Sequence, residues 1–243
     1  MGSNIYVAAS GAAARLQQLE IVANNLANAE SVGFKADRAI FRTALEAALS
    51  QREGEPTDGA PGGVYVEVGE TGFNPAPGPI RSTGAPLDVA IDGEGFFVVT
   101  TPEGERYTRA GAFQLDRDQQ LVSVGGHPVE GGGSISGTDV RILASGDLVG
   151  ADGVPLGRLR VVDFEDPSRL TKTGDGLFAA PIDMAPEDVD DPSLLPGSLE
   201  GSNVQPVVEM ATLMILQRAF EASMQAMQLD DQATERLIQE ISQ

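Results

Sequence analysis

One histidine occurs in the chain, His127, and its setting decides whether it can do chemistry. It lies in Gly125-Gly126-His127-Pro128, a turn sequence, where an imidazole could serve as general base or metal ligand. Neither a second histidine nor any cysteine is present to share a metal, so the ring reads as a solvated turn residue. The 36 acids are the other chemical resource. A glycosidase needs two carboxylates facing each other across a cleft, one with a raised pKa, and no spacing here specifies such a pair. Asp116-Arg117-Asp118-Gln119 lacks the glycine and distal glutamate of a calcium loop, and Glu187-Asp188-Val189-Asp190-Asp191 reads as a solvated charge run. Gly93-Glu94-Gly95 and Gly131-Gly132-Gly133 open no helix of a βαβ unit, and Gly-Lys-Ser and Gly-Lys-Thr are absent. Ser134-Ile135-Ser136-Gly137 does not match a nucleophile elbow. The chain is therefore expected not to be an enzyme and to carry no cofactor or metal; action on a polysaccharide is the weakest of the competing readings.

Composition narrows the partners. A formal charge of −20 opposes nucleic acid, which requires clustered Lys and Arg, and Lys35 and Lys172 are the only lysines. An anionic membrane surface repels the chain for the same reason. The absence of cysteine removes disulfide frameworks and thiolate catalysis. No run approaches the roughly 18 apolar residues of a membrane span. Met1 to Ser10 have neither the basic start nor the apolar run of a secretory leader, so neither membrane insertion nor a cleaved signal is expected.

What remains is periodicity. Ile5, Ala9, Ala12, Leu16, Leu19, Ala23 and Leu26 step by three or four at one end of the chain. Leu213, Leu216, Phe220, Met224, Met227, Ile238 and Ile241 do so at the other, with Asp231 and Thr234 as polar interruptions. A seam repeating every ~3.5 residues needs a facing helix to fill it. Two seams in one chain face each other most simply, or face the same seams on further copies. The five large side chains of the N-terminal helix, Ile5, Leu16, Leu19, Val22 and Leu26, yield ~10 kcal/mol on full burial, while ordering the backbone costs about 1–2 kcal/mol per residue. Partner helices must supply the difference.

Between the ends the period becomes two. Helix is expected over Asn4–Asn28, with Gly33 as its stop, and again within 34–50 through Ile40, Phe41, Leu45 and Leu49. The Gly- and Pro-rich stretch 51–86 reads as extended connector with a strand at Val64–Val68. Strands are expected at Leu87–Ile91, Phe96–Thr100, Arg106–Arg109, Phe113–Leu115, Leu121–Val124, Val140–Leu143, Leu156–Phe164 and Leu177–Ala180. The acidic, proline-rich stretch 181–197 reads as an exposed loop. Ser202 or Asn203 should open the last helix, with Pro206 in its first turn. The expected class is α+β, a central mainly antiparallel β domain between helical ends. Its divisions are an N-terminal helix at 1–33, the connector at 34–86, the β domain at 87–200 and a C-terminal helix at 201–243.

Asn24, Asn25 and Asn28 stand out, because asparagine is a poor interior helix residue. Two readings stay open: fraying before Gly33, or side-chain hydrogen bonds across packed helices that fix their register.

The run Val22-Ala23-Asn24-Asn25-Leu26-Ala27-Asn28-Ala29-Glu30-Ser31-Val32-Gly33-Phe34-Lys35 resembles the N-terminal signature of bacterial flagellar rod and hook proteins. Leu87-Asp88-Val89-Ala90-Ile91 running on to Gly95-Phe96-Phe97, Tyr107-Thr108-Arg109-Ala110-Gly111-Ala112-Phe113, and Glu200-Gly201-Ser202-Asn203-Val204 are similar to later stretches of the same family. So is the C-terminal helix from Pro206-Val207-Val208-Glu209-Met210 through Arg218-Ala219-Phe220-Glu221. Leu199-Glu200-Gly201-Ser202-Asn203-Val204-Gln205-Pro206-Val207, Gly126-His127-Pro128-Val129 and Thr173-Gly174-Asp175-Gly176-Leu177-Phe178 resemble its proximal rod branch more than the distal rod. The resemblance implies a structural subunit exported through the flagellar type III apparatus and polymerised in the periplasm into a hollow helical shaft that transmits torque. Its partners would be copies of itself and other rod proteins, with surrounding ring proteins as further neighbours. The terminal helices would form an inner coiled-coil layer. On that reading the assembly interface comprises Leu16, Leu19, Val22, Asn24, Asn25, Leu26, Asn28, Gly33, Phe34, Leu213, Leu216, Phe220, Met224, Met227, Ile238 and Ile241.

Overall fold

The computed structural model describes residues 2–43, 66–133, 135, 140–150 and 152–241, with 2–10, 40–43, 66–70 and 230–241 described as backbone only. The architecture is α+β, and packing divides it into two units. One comprises Met1–Ala27, Asp37–Gly72 and Gln205–Gln243; the other comprises Asn28–Ala36 and Phe73–Val204.

The first unit is built on two helices, Gly2–Ala27 of 26 residues and Pro206–Ile241 of 36. Alanine favours the first, which buries Ala12 and Val22. The second starts at Pro206 rather than at Ser202 or Asn203, and the Glu209 amide closes its first turn on the Gln205 carbonyl at 3.0 Å. Proline suits that first position because its missing N–H would have had no helical acceptor. The helices pack on each other. Arg15 hydrogen-bonds Ser223, and Asn25 hydrogen-bonds Glu209. Numbers that rise along one helix fall along the other, so the pair is antiparallel.

Helix was expected to resume within 34–50, but Asp37–Thr43 is a strand paired with Val66–Phe73. The helical spacing of Ile40 and Phe41 gives way there to pairing with a distant strand, since β conformation depends on context more than on local pattern. Leu45, Leu49, residues 51–65 and the first part of the Val64–Val68 strand lie outside the described residues.

The second unit is centred on a six-stranded antiparallel sheet. Its order is Thr171–Gly174, Leu177–Ala179, Gly104–Thr108, Phe96–Thr101, Val161–Asp163, Glu187–Asp188. The run Phe96-Phe97-Val98-Val99 is apolar on both faces because both are covered. Phe97 and Val99 join Val89, Leu121, Val140, Leu148 and Val161 in one core. Phe96 and Val98 join Phe73, Tyr107, Val162, Phe164 and Phe178 in a second. Edge-to-face ring pairs such as Tyr107–Phe164, with centroids 4.8 Å apart, fix the packing of the second core.

Two expectations need correction here. Leu156–Phe164 is not one strand but Pro155–Arg158 and Val161–Asp163, interrupted where the Arg160 amide turns to the Glu130 carbonyl at 3.2 Å. The stretch 181–197 is not all exposed loop. Glu187–Asp188 forms the sheet's edge, and Leu194–Pro196 pairs with Val89–Ile91, which buries Leu194.

Candidate assembly interface and its buried charge node

In the two-helix unit, the side chains that meet the partner helix set the inner face. Glu209 and Ser223 touch the N-terminal helix, and Thr212, Leu213, Leu216, Ala219, Phe220 and Met227 share their side at helical spacing, all half-buried. On the N-terminal helix, Val22 and Asn25 are buried and Leu19 and Leu26 half-buried, whereas Leu16 and Asn24 are exposed. Met224 is exposed as well, and Ile238 and Ile241 lie in the helix with side chains outside the described residues.

Asn25 resolves the question its residue type raises. Its Oδ1 accepts from the Asp37 amide at 2.7 Å and its Nδ2 donates to the Asp37 carbonyl at 3.0 Å, as a strand neighbour would. The same amide donates to the Glu209 carboxylate. One buried side chain thus joins both helices to the start of a strand. Burial raises the Glu209 pKa above 4.5, and the Asn25 hydrogen bond opposes that rise.

Over its first turns the C-terminal helix is also apolar away from that face, before Arg218, Glu221 and Gln225 make the opposite side polar. Val207, Val208, Met210, Met214, Ile215 and Leu229 are all exposed, Val207 to 80% and Ile215 to 67%. A helix that is apolar on two sides has one side left to cover.

In the β unit, charge is buried. Lys35 and Glu200 are 1% and 2% exposed, with Nζ and Oε1 2.6 Å apart. Arg109, 5% exposed, places Nη1 3.4 Å from the other carboxylate oxygen. The node is completed by backbone: Lys35 Nζ donates to the Ala76 carbonyl at 3.0 Å, the Gly78 amide to Glu200 Oε1 at 2.8 Å, and Arg109 Nη1 to the Gly93 carbonyl at 2.9 Å. The guanidinium also lies over the Phe96 ring, 5.1 Å from its centroid. Two cations against one carboxylate leave a buried excess of positive charge. Desolvation lowers the pKa of both Lys35 and Arg109, and Glu200 opposes it in each.

Asn203 extends the node. Its Oδ1 accepts from the Ala36 amide at 2.7 Å, and its Nδ2 donates to the carbonyls of Asn74 and Ala76 at 3.0 and 2.8 Å. The Gly33 amide donates to the Glu200 carbonyl at 2.8 Å. Gly33 is therefore no helix stop. The helix ends at Ala27, and Gly33, at φ +66°, packs where a Cβ would sit 2.4 Å from the Ala110 nitrogen. Half-buried Phe34 carries the Lys172 ammonium 3.9 Å above its ring centre. Both lysines of the chain meet here. Asn28 holds the preceding turn, accepting from the Ser31 hydroxyl at 3.0 Å.

Sequence reasoning singled out Gly33 and Phe34 but not Lys35, Arg109, Glu200 or Asn203. The signal was present. Lys35 is one of two lysines, set between Phe34 and Ala36, and the other three sit inside the very stretches that carry the family resemblance. His127 occupies a tight turn, where the Ser123 amide donates to the His127 carbonyl at 2.9 Å. Among the described residues no cluster of three or more metal-ligating side chains occurs, and no helix is long and apolar enough to cross a membrane.

Comparison with known proteins places these features. Residues 5–35 match the family model described as flagella basal body rod protein, residues 90–148 that of the flagellar hook protein FlgE/F/G D1 domain, and residues 195–240 that of the flagellar basal body rod FlgEFG protein C-terminal region. The flagellar basal-body rod protein FlgF of Caulobacter vibrioides is 36% identical over 98% of both chains. FlgF of Salmonella typhimurium is 33% identical over 100% of this chain and 99% of its own. FlgG of Agrobacterium fabrum is 34% identical over 88% of this chain and 90% of its own. The family is structural and not enzymatic. This chain belongs to the flagellar basal-body rod protein family, and within it is most like the FlgF members.

Proposed function

We propose that this chain is a proximal rod subunit whose paired terminal helices join those of neighbouring copies in an inner coiled-coil layer, the β unit lying outside it. The observation that carries this reading is the second apolar side of the C-terminal helix, Val207, Val208, Met214, Ile215 and Leu229, which the N-terminal helix leaves exposed. Covering it with an equivalent helix of another copy buries apolar surface at about 25 cal/mol per Å². A heterologous contact whose rotation does not close propagates as a helical polymer, a shaft able to carry torque. Residues 1–33 and 201–243 form the inner layer, 34–86 the connector and 87–200 the outer β domain. Export through the flagellar type III apparatus without a cleaved signal, a periplasmic position and contact with surrounding ring proteins complete the role.

Ile215→Asp tests it. The folded monomer should keep its stability while rod assembly and swimming motility are lost; motile cells carrying the variant would refute the proposal. The comparably similar FlgG relative favours a distal rod position as the second reading. The position of a tagged copy along isolated basal bodies separates the two.

A further inference from the structure

The β unit holds its first and last segments together through contacts that span almost its whole length. Lys35 reaches Glu200 across 165 residues, and the Ala36 amide reaches Asn203 across 167. Asn203 reaches Asn74 across 129, and the Gly78 amide reaches Glu200 across 122. The strands agree: Ile80–Ser82 pairs only with Ser198–Glu200, and Val89–Ile91 pairs with Leu194–Pro196. By contrast, the Phe96–Thr101 and Gly104–Thr108 hairpin is closed by a turn between Thr101 and Gly104, and Thr171–Gly174 folds onto Leu177–Ala179 across another.

We infer that residues 194–204 are a closing clasp: the six-stranded sheet forms first, and 33–36 with 74–84 stay open until the clasp docks. Two physical reasons set that order. Loop-closure entropy rises with the length bridged, so contacts separated by more than a hundred residues form late. The node also buries one carboxylate with two cations, an arrangement that repays its desolvation only when Glu200 and the Gly78 and Gly93 backbone groups are all in place. No earlier partial version of it is favourable. The clasp concerns this unit alone.

Pulse-labelling hydrogen exchange during refolding of the full chain tests the order without any substitution. Amides of Phe96–Thr101, Gly104–Thr108 and Val161–Asp163 should gain protection at least tenfold faster than those of Gly33, Ala36, Thr83, Gly84 and Gly201, whose hydrogen bonds belong to the clasp. Simultaneous protection, or protection of the clasp first, would overturn the inference. Asn203→Ala gives a second reading. It should leave the rate at which the sheet amides become protected within twofold of the parent while speeding loss of clasp protection; an equal slowing of sheet formation would place Asn203 in the folding nucleus and sink the idea. Neither result depends on motility, so failure here is distinct from failure of the rod assignment.

Discussion

Glu200 is outnumbered by the cations it holds, and that asymmetry governs what substitutions around it do. Glu200→Gln leaves Lys35 buried without its carboxylate and Arg109 with only the more distant Asp163 and Glu94, and should cost about 3–5 kcal/mol of stability. Lys35→Met leaves a neutral Arg109–Glu200 pair, and the Ala76 carbonyl keeps its 2.8 Å bond from Asn203; it should cost only about 1 kcal/mol. Urea midpoints of the two variants check the order, and equal losses would contradict it. Glu209 carries the opposite lesson in the helical unit. Its folded pKa is raised, so the fold prefers the protonated acid: stability is greatest below the unfolded value of 4.5 and falls as pH climbs through the raised one. Glu209→Gln keeps an oxygen for Asn25 and removes that dependence. Its melting temperature should therefore exceed the parent's at neutral pH and match it in acid.

The C-terminal helix shows what one element can say from sequence and what it withholds. The seven-residue rhythm of Leu213, Leu216, Phe220 and Met227 was legible, and those side chains do lie on the side facing the N-terminal helix. Leu16 and Met224 fit the same rhythm yet are exposed, because a repeat specifies a stripe and not which neighbour covers each part of it. The second stripe at Val207, Met214 and Ile215 was hidden between members of the first. Leu216→Asp should weaken the helix pair by about 2–3 kcal/mol, whereas Ile215→Asp should stay within about 0.5 kcal/mol in the monomer. Circular-dichroism melts distinguish them. In the β unit, hairpin strands announced themselves by short apolar runs bounded by turn residues. Ile80–Ser82, Leu194–Pro196 and Ser198–Glu200 did not, since each owes its conformation to a partner far along the chain. The residues of the charge node stood out in the sequence, but their pairing did not, because no spacing rule connects Lys35 to Arg109 and Glu200.

At the scale of the whole molecule, unlike surfaces sit on different parts of one chain. The greasy, two-sided helix belongs to the helical unit, and the net charge of −20 keeps copies apart until specific contacts outweigh repulsion. Salt screens that repulsion, so self-association of purified chain should strengthen as ionic strength rises, a trend sedimentation velocity reads directly. The most direct test of the account is a map of isolated basal bodies containing this subunit. It should show the terminal helices of successive copies packed in the innermost layer of the rod, with Val207, Met214 and Ile215 buried against a neighbouring helix. Subunits found in the rod with that stripe still facing solvent, or found nowhere in it, would contradict the account.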